Sequence, residues 1–195
     1  MQRIIKDEEP DFWKTYRRRN PKCTYNDLDK NDNGKAVRRK IRGHMIKQQN
    51  YICAYCCKRI NEDSAANEHI RPKGDPKYMS LSMDYNNLVA SCKTFKTCTM
   101  KKDNEYSEEL FISPLDEDCE SHFEYFPDGS IRGITEKGKY TIELLGLNEY
   151  SLKDARKCQY ASCESMRNKQ LIYEYYIKPY DGKKRTVRRY DKIFL

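Results

Sequence analysis

The chain has 195 residues, of which 37% are hydrophobic and 35% are charged, and it carries a formal net charge of +8. This length allows one compact domain or two small ones, and the composition leaves room for only a modest apolar core. No apolar stretch approaches the roughly 20 residues of a membrane span, and the opening MQRIIKDEEPDF lacks the apolar core of a secretory signal. We therefore expect a cytoplasmic protein that has no contact with a membrane.

Nine cysteines and two basic clusters are the unusual features of the composition. Thiols stay reduced in the cytoplasm, so cysteines there indicate metal ligation before disulfides. Clustered basic side chains suit a phosphate backbone, although a solvated basic face explains either cluster equally well. The first cluster comprises Lys35, Arg38, Arg39, Lys40 and Arg42, and the second comprises Lys183, Lys184, Arg185, Arg188, Arg189 and Lys192.

The N-terminal segment, residues 1–50, predicts short helices joined by turns. Pro10 favours the start of a helix that runs through Trp13 and Tyr16. Residues 26–35 are typical of a turn-rich linker. Residues 35–49 predict an amphipathic helix with its arginines on the polar side, because apolar residues recur there at four-residue spacing. These apolar residues are Val37, Ile41 and Met45.

The C-terminal part of the chain predicts a hairpin followed by helices. Residues 110–134 predict β-structure, in which Phe123, Tyr125 and Ile131 flank the turn at residues 127–129. Residues 141–148 predict a short helix, residues 152–177 predict a longer one, and a basic, tyrosine-containing tail follows.

Two cysteine pairs predict a structural zinc site. Cys53 and Cys56 form a CxxC pair, and Cys92 and Cys98 form a second pair with wider spacing. Four thiolates from two turns give a closed tetrahedral site, which is structural rather than catalytic. A CxxC motif alone also suits a redox function, but the second pair and the absence of a βαβ pattern argue against it. Cys57 directly follows the first pair and is an alternative ligand.

The other cysteines are expected to be small apolar residues that are buried or half-buried. They are Cys23, Cys57, Cys119, Cys158 and Cys163.

Between the two pairs, the segment NEHIRPK holds the candidate catalytic residues. A histidine has a pKa near neutrality and suits the deprotonation of water, so His69 is the candidate general base. The adjacent Glu68 suits a hard divalent cation, which offsets the charge on a phosphate. Arg71 and Lys73 are placed to hold neighbouring phosphates. The alternative is that His69 is an ordinary core or surface histidine.

Asn86 and Asn87 precede the third zinc cysteine. An asparagine at this place can hydrogen-bond the loop backbone and fix the segment that bears His69, or it can simply cap a turn or a helix. Both interpretations are compatible, because a capping asparagine also positions the loop.

The pattern CxxC…EHxxP…NNL…C…C…KK resembles the HNH, or ββα-metal, endonucleases. The segments QQNYICAYCCKRI, NEHIRPKG, MDYNNLVASC and CTMKKDN, together with flanking segments on both sides, resemble the PtuB family of HNH proteins found in the Septu antiphage system and in some retron systems.

This resemblance implies a role for each matching residue. His69 is then the general base, Glu68 binds a catalytic Mg²⁺ or Mn²⁺, and Asn87 orders the loop. Lys102 stands where such proteins often carry a lysine, and we expect it to contact substrate phosphate. The four paired cysteines bind zinc. The resemblance also implies a PtuA-like ATPase as partner, with a retron reverse transcriptase and its nucleic acid as a further one.

One position departs from the family pattern. The residue after the last zinc cysteine is often Asn, His or Asp and supplies a second metal ligand, whereas this chain has Thr99. Asp103, Asn104 or water is a possible substitute.

Taken together, these patterns predict an α+β fold: a ββα-metal core with a four-cysteine zinc site, N-terminal helices, and a C-terminal extension of a hairpin and helices. The predicted parts are residues 1–50, 51–109 and 110–195. The predicted function is metal-dependent hydrolysis of phosphodiester bonds in nucleic acid during antiphage defence. The alternative is a zinc-ribbon protein that binds nucleic acid as an adaptor without catalysis.

Overall fold

The structure, a computed structural model, describes residues 1–165. Contacts between residues divide the chain into two units. The first comprises Met1–Glu124 and Arg132–Leu147, and the second comprises Tyr125–Ile131 and the residues from Asn148 to the end of the described part. The boundaries predicted after residues 50 and 109 both fall inside the first unit.

Two helices and a short 3₁₀ helix form the N-terminal part of the first unit. Helix α1 spans Asp11–Arg19 with Pro10 at its N-cap position, which confirms the predicted helix. Helix α2 spans Asp32–Gln48, and two of its predicted apolar residues, Ile41 and Met45, are fully buried.

The predicted linker at residues 26–35 is wrong in detail, because its polar side chains cap helices. Thr24 and Asp27 form a capping box around a 3₁₀ helix at Tyr25–Asp29. Asn31 accepts a hydrogen bond from the Gly34 backbone and begins α2 three residues earlier than predicted.

An antiparallel strand pair lies at the centre of this unit. Strand β1 spans Ala65–His69 and strand β2 spans Leu88–Cys92. The register pairs Ala65 with Cys92 and His69 with Leu88. Every residue of β2 is buried, and α2 packs on both strands. Helix α3, a short helix at Cys98–Lys102, follows β2.

The predicted hairpin is confirmed: β3 spans Phe123–Tyr125, β4 spans Ile131–Gly133, and the two strands form a second sheet. The β-structure predicted for residues 110–122 is wrong, because these residues form turns and a 3₁₀ helix at Cys119–His122. Gly129 has a φ of +82°, a left-handed conformation that favours glycine. A Cβ atom there would lie 2.0 Å from the carbonyl oxygen of Lys153, so the turn also requires glycine for space.

Two more helices follow the hairpin. Helix α4 spans Glu136–Leu144 and begins five residues before the predicted helix, because Thr135 accepts a hydrogen bond from the Gly138 backbone and caps it. Helix α5 spans Tyr150–Ser165. The predicted continuation of this helix to residue 177 and the basic tail lie outside the described residues. Within residues 1–165, no helix is both long enough and apolar enough to cross a membrane.

Candidate metal and catalytic centre

Four cysteines from three elements meet in one buried cluster. Cys53 and Cys56 lie in a turn whose ends are joined by a bridge between Ile52 and Arg59. Cys92 ends β2 and Cys98 begins α3. The four Sγ atoms lie within 4.8 Å of one another.

The distances within this cluster suit a tetrahedral metal ion. The Sγ atoms of Cys53 and Cys98 are 3.8 Å apart, as are those of Cys56 and Cys92. Four sulfurs that each lie about 2.3 Å from a central zinc ion are separated by about 3.8 Å, whereas a disulfide bond measures about 2.05 Å. The cluster could therefore bind a metal such as zinc. Hydrogen bonds within the cluster lower the pKa of Cys92 and raise those of Cys56 and Cys98, so the four thiols share their protons unequally without a metal. A bound metal requires all four as thiolates.

The remaining cysteines stand apart from this group. Cys57 is half-buried, has a left-handed backbone with a φ of +59°, and belongs to no ligand group in the described part of the chain. Cys119 and Cys163 are buried and Cys23 is half-buried, as predicted. Cys158 is exposed on α5, so the prediction that it is at least half-buried is wrong.

Glu68 is held by three side chains, Tyr55 from the cysteine turn and Thr99 and Lys102 from α3. It lies in β1 opposite Val89 and is only 6% exposed. Its Oε1 atom lies 3.0 Å from the Nζ atom of Lys102 and accepts a hydrogen bond of 3.3 Å from the Tyr55 hydroxyl. Its Oε2 atom accepts a hydrogen bond of 3.0 Å from the Thr99 hydroxyl. Thr99 thus lies beside the carboxylate, at the position where the family pattern has a metal ligand.

His69 ends β1, and its ring is fixed in one orientation. It is 5% exposed, and its Nε2 atom lies 2.9 Å from the carbonyl oxygen of Ser82. Burial lowers the pKa of His69 to about 4, against the opposing effect of this hydrogen bond, so the ring is neutral at pH 7. A carbonyl only accepts, so Nε2 carries the proton and Nδ1 keeps a lone pair. The Tyr25 ring meets the His69 ring edge to face at 4.6 Å between centroids.

Asn87 joins the two ends of the loop between β1 and β2. It is buried, and its Oδ1 atom accepts a hydrogen bond of 2.8 Å from the Arg71 backbone. Its Nδ2 atom donates to the carbonyl oxygens of Arg71 at 3.0 Å and Leu81 at 3.3 Å. Asn86 is exposed, and the N-cap of this turn is Asp84.

The three predicted phosphate ligands have different surroundings. Arg71 and Lys73 are partly exposed; the Nε atom of Arg71 lies 3.7 Å from Glu108, and Lys73 donates a hydrogen bond of 2.7 Å to the Asn26 side chain. Lys102 is instead fully buried, and its Nζ atom also donates to the carbonyl oxygen of His69 at 3.0 Å. It fixes Glu68 and the end of β1 rather than facing solvent.

The surroundings of Glu68 offer few ligands for a divalent ion. Within the described residues, Glu68 belongs to no group of three or more candidate metal ligands. Asp103 and Asn104 are exposed, and the Asn104 side chain packs on Gly74. Glu68 Oε2 and Thr99 Oγ1 are two oxygen donors that lie 3.0 Å apart. Such a set fits Mg²⁺, which usually keeps several waters and binds through one or two protein oxygens plus substrate phosphate.

Two residues of the centre escaped sequence reasoning. Tyr55 lies between Cys53 and Cys56, and its hydroxyl contacts Glu68; only its position inside the CxxC motif pointed to it. Lys6 donates to the carbonyl oxygens of Tyr85 at 2.9 Å and Leu88 at 2.5 Å, on both sides of Asn87. No sequence signal links Lys6 to a loop some 80 residues away.

The mixed helix-and-strand fold with a buried four-cysteine cluster fits a zinc-binding HNH-like domain. No family model matches the chain. Comparison with curated proteins nevertheless finds homologues of this class.

Three relatives carry the similarity. The chain is 35% identical over 136 residues to a candidate HNH endonuclease of retron Vc95 from Vibrio cholerae, covering 64% of this chain and 65% of that protein. It is 33% identical over 122 residues to the Septu protein PtuB of Bacillus thuringiensis, covering 60% and 45%. It is 30% identical over 97 residues to a candidate HNH endonuclease of retron Ec83 from Escherichia coli, covering 47% and 37%.

These matches confirm the resemblance that the motifs indicated, and the chain is a homologue of the retron and PtuB group of HNH proteins. The chain spans less than two thirds of the length of each of these relatives.

Proposed function

We propose that the chain is a metal-dependent HNH endonuclease that hydrolyses phosphodiester bonds of nucleic acid. The observation that carries this proposal is the neutral imidazole of His69, which is oriented by the Ser82 carbonyl and adjoins the Glu68 carboxylate in β1. Homology to proteins named as HNH endonucleases supports the same chemistry. In this proposal β1, β2 and α3 form the ββα-metal unit.

His69 acts as the general base. Its Nε2–H donates to Ser82 and holds the ring, so the Nδ1 lone pair is available to take a proton from water as the water oxygen attacks phosphorus. A neutral histidine is the form that accepts a proton. The negative charge of an approaching phosphate raises the histidine pKa and so helps the ring to hold that proton.

Glu68 and Thr99 are the residues that would hold the catalytic Mg²⁺ or Mn²⁺. A bound divalent ion supplies positive charge that offsets the charge developing on the phosphate and on the leaving oxygen. Lys102 and Tyr55 both contact the Oε1 atom of Glu68 and hold the carboxylate in place. The Oε2 atom, which lies beside Thr99, is then the one that would bind the ion. Arg71 and Lys73 are the phosphate ligands on the exposed side.

The four cysteines bind zinc as a structural ion. All four are buried, and four thiolates leave no open coordination position for substrate. Zinc here ties the turn at Cys53 to the end of β2 and the start of α3. Asn87 adds a second constraint, because its side chain hydrogen-bonds the backbone of the loop that follows His69.

In the cell, we propose that the chain serves as the nuclease subunit of an antiphage complex. One relative is a Septu protein PtuB and two are retron proteins, which supports an assembly with a PtuA-like ATPase and, in a retron setting, a reverse transcriptase with its nucleic acid. Either DNA or RNA is a suitable substrate, because basic side chains chiefly contact phosphate, which both polymers carry.

A second candidate is a nucleic-acid-binding adaptor that does not catalyse hydrolysis. The observation that favours it is the engagement of Glu68 by the buried ammonium of Lys102, with Thr99 in the place of a stronger metal ligand. A zinc-bound core and a positive surface would suffice for that role.

The deciding experiment is cleavage of plasmid DNA and total cellular RNA by the full chain in Mg²⁺ or Mn²⁺, with and without the ATPase. We expect nicking that His69→Ala abolishes. His122→Gln is the matched control, because that histidine lies in the 3₁₀ helix at Cys119–His122 and has no place in the proposed centre. Zinc content and circular dichroism show that each variant is folded. Cleavage that persists in His69→Ala would refute the mechanism, and nucleic-acid binding without cleavage in any condition would favour the adaptor.

A further inference from the structure

The proposed general base is covered by a segment outside the predicted nuclease core. The 3₁₀ helix at Tyr25–Asp29 contributes the Tyr25 ring, which lies 4.6 Å from the His69 ring. The Tyr25 hydroxyl also accepts a hydrogen bond from Asn67, two residues before His69 in β1. This segment is therefore joined to β1 at the position of the base. We call residues 25–29 the covering segment.

The same segment engages two basic side chains next to the site. Asp29 pairs with the guanidinium of Arg38 on α2, through both of its carboxylate oxygens. The Asn26 side chain accepts a hydrogen bond of 2.7 Å from Lys73, which follows β1 by four residues. One short stretch thus supplies oxygen ligands to two cations that come from separate elements.

Arg38 lies close to the base, although it precedes β1 by about 30 residues. Its guanidinium carbon is 5.4 Å from the centre of the Tyr25 ring, and that ring contacts His69. The Arg38 carbonyl oxygen accepts a hydrogen bond of 3.0 Å from Asn67, which ties this turn of α2 to β1. The side chain is about one third exposed, so an approaching phosphate can reach it.

We propose that Arg38 and Lys73 form a phosphate-binding pair beside His69, and that Asp29 and Asn26 occupy this pair until nucleic acid displaces them. This inference rests on the proposed function and extends it to a residue of α2. Guanidinium donates hydrogen bonds to phosphate and carboxylate oxygens alike. The Nη1 atom of Arg38 already donates to both carboxylate oxygens of Asp29, so the same nitrogen can donate to phosphate oxygens in their place. Both members of the resting pair are solvent-accessible, and exposed ion pairs contribute little stability, so displacing Asp29 costs little free energy.

A purely structural role for Asp29 makes the opposite prediction. If Asp29 only fastened the covering segment to α2, its removal would disorder the site and weaken substrate binding. If Asp29 competes with phosphate, its removal frees Arg38 and strengthens binding. Removal of a negative charge also strengthens binding in general, so Asp29→Asn is measured in the Arg38→Gln background as well. Under the proposal its gain disappears there, because the gain comes from freeing Arg38, whereas a general charge effect persists.

The test measures binding of a fluorescein-labelled 20-base-pair DNA duplex, and of RNA of the same sequence, to the full chain by fluorescence anisotropy. No Mg²⁺ or Mn²⁺ is added, so cleavage does not enter the measurement. Arg38→Gln is compared with Arg39→Gln, its exposed neighbour on α2 and the matched control. Arg38→Lys, which keeps the charge, gives a second variant whose zinc content and circular dichroism can be matched to the wild type.

We expect Arg38→Gln to raise Kd about tenfold and to reduce the slope of log Kd against log salt by about one. Arg38→Lys should fall between this variant and the wild type, Arg39→Gln should stay close to the wild type, and Asp29→Asn should lower Kd. Equal effects of Arg38→Gln and Arg39→Gln, weaker binding by Asp29→Asn, or no binding by the wild type would each overturn the proposal.

Cleavage separates this inference from the proposed function. If the wild type cleaves nucleic acid and Arg38→Gln has the same KM, the proposed function is supported and Arg38 is not part of the substrate site. Binding that depends on Arg38, in a chain that never cleaves, supports the phosphate-binding pair and refutes the nuclease.

Discussion

Replacing Lys102 with methionine should destabilise the protein more than any surface substitution. The Lys102 side chain is wholly buried in α3, and its ammonium contacts two acceptors in β1: the Glu68 carboxylate and the His69 carbonyl. Methionine fills a similar volume but donates no hydrogen bond. The Lys102→Met change therefore leaves a buried carboxylate without its counter-ion and a backbone carbonyl without its donor.

The distance sets the magnitude of the effect. Two unit charges 3.0 Å apart attract with about 5.5 kcal/mol at an effective dielectric constant of about 20. Part of this attraction offsets the desolvation free energy of burying both ions. When one partner is removed, the other remains buried without that compensation, and such a change typically destabilises a protein by about 3–5 kcal/mol. We expect Lys102→Met to lower the free energy of unfolding by about this amount. In the double variant with Glu68→Gln, most of the loss should be recovered, because no unpaired charge remains.

The assay is urea unfolding at constant zinc concentration, followed by circular dichroism and arranged as a double-mutant cycle of Lys102→Met and Glu68→Gln. Lys101→Met is the matched control, since this neighbour in α3 is exposed, and it should change stability by no more than about 0.5 kcal/mol. A Lys102→Met variant as stable as Lys101→Met, or additive effects in the cycle, would show that the ion pair does not hold Glu68 in the way described.

Two further predictions concern the cysteine cluster and the N-terminal segment. Cys98→Ser should reduce bound zinc from one ion per chain to a small fraction, as measured by mass spectrometry, and should lower stability. Substitution of the exposed Cys158 by serine is the control and should change neither quantity. A full zinc content in Cys98→Ser would exclude Cys98 as a ligand. Burial lowers the pKa of Lys6 from 10.5 to about 7, so between these values the unfolded chain binds more protons than the folded one. The free energy of unfolding should therefore rise by about 2 kcal/mol from pH 7 to pH 9 through this group, and urea unfolding of Lys6→Met should lack that part of the rise. An equal rise in both proteins would show that burial does not lower the pKa of Lys6.

The Lys102 and Lys6 predictions share one physical theme. Lys102 is fully buried and Lys6 is partly buried, and the Nζ atom of each donates to backbone carbonyls at an end of β1 or β2. A small, highly charged chain has little apolar surface to bury. The centre is instead positioned by polar contacts of Lys102, Lys6, the cysteine cluster and Asn87.

Much of the centre could be predicted from sequence, because the residues that build it occur in short local motifs. The spacing of Cys53 and Cys56, and the presence of a second pair, predicted the four-cysteine cluster that the structure contains. The periodicity of Ile41 and Met45 predicted α2, and the turn around Gly129 predicted the second sheet. These features depend on neighbours within a few residues, where chain geometry leaves few alternatives.

The surroundings of each motif residue were decided by tertiary structure alone. Lys102 was predicted from the family resemblance to contact substrate phosphate, but α3 places it in a buried position beside Glu68. It gave no sign that Tyr25 would cover His69, or that Asp29 would pair with Arg38. Burial and pairing between distant segments depend on how elements pack, and a residue's own sequence neighbourhood does not encode that packing. The residue types in a motif therefore show which chemistry is available, while only the fold shows which of their atoms remain free to perform it.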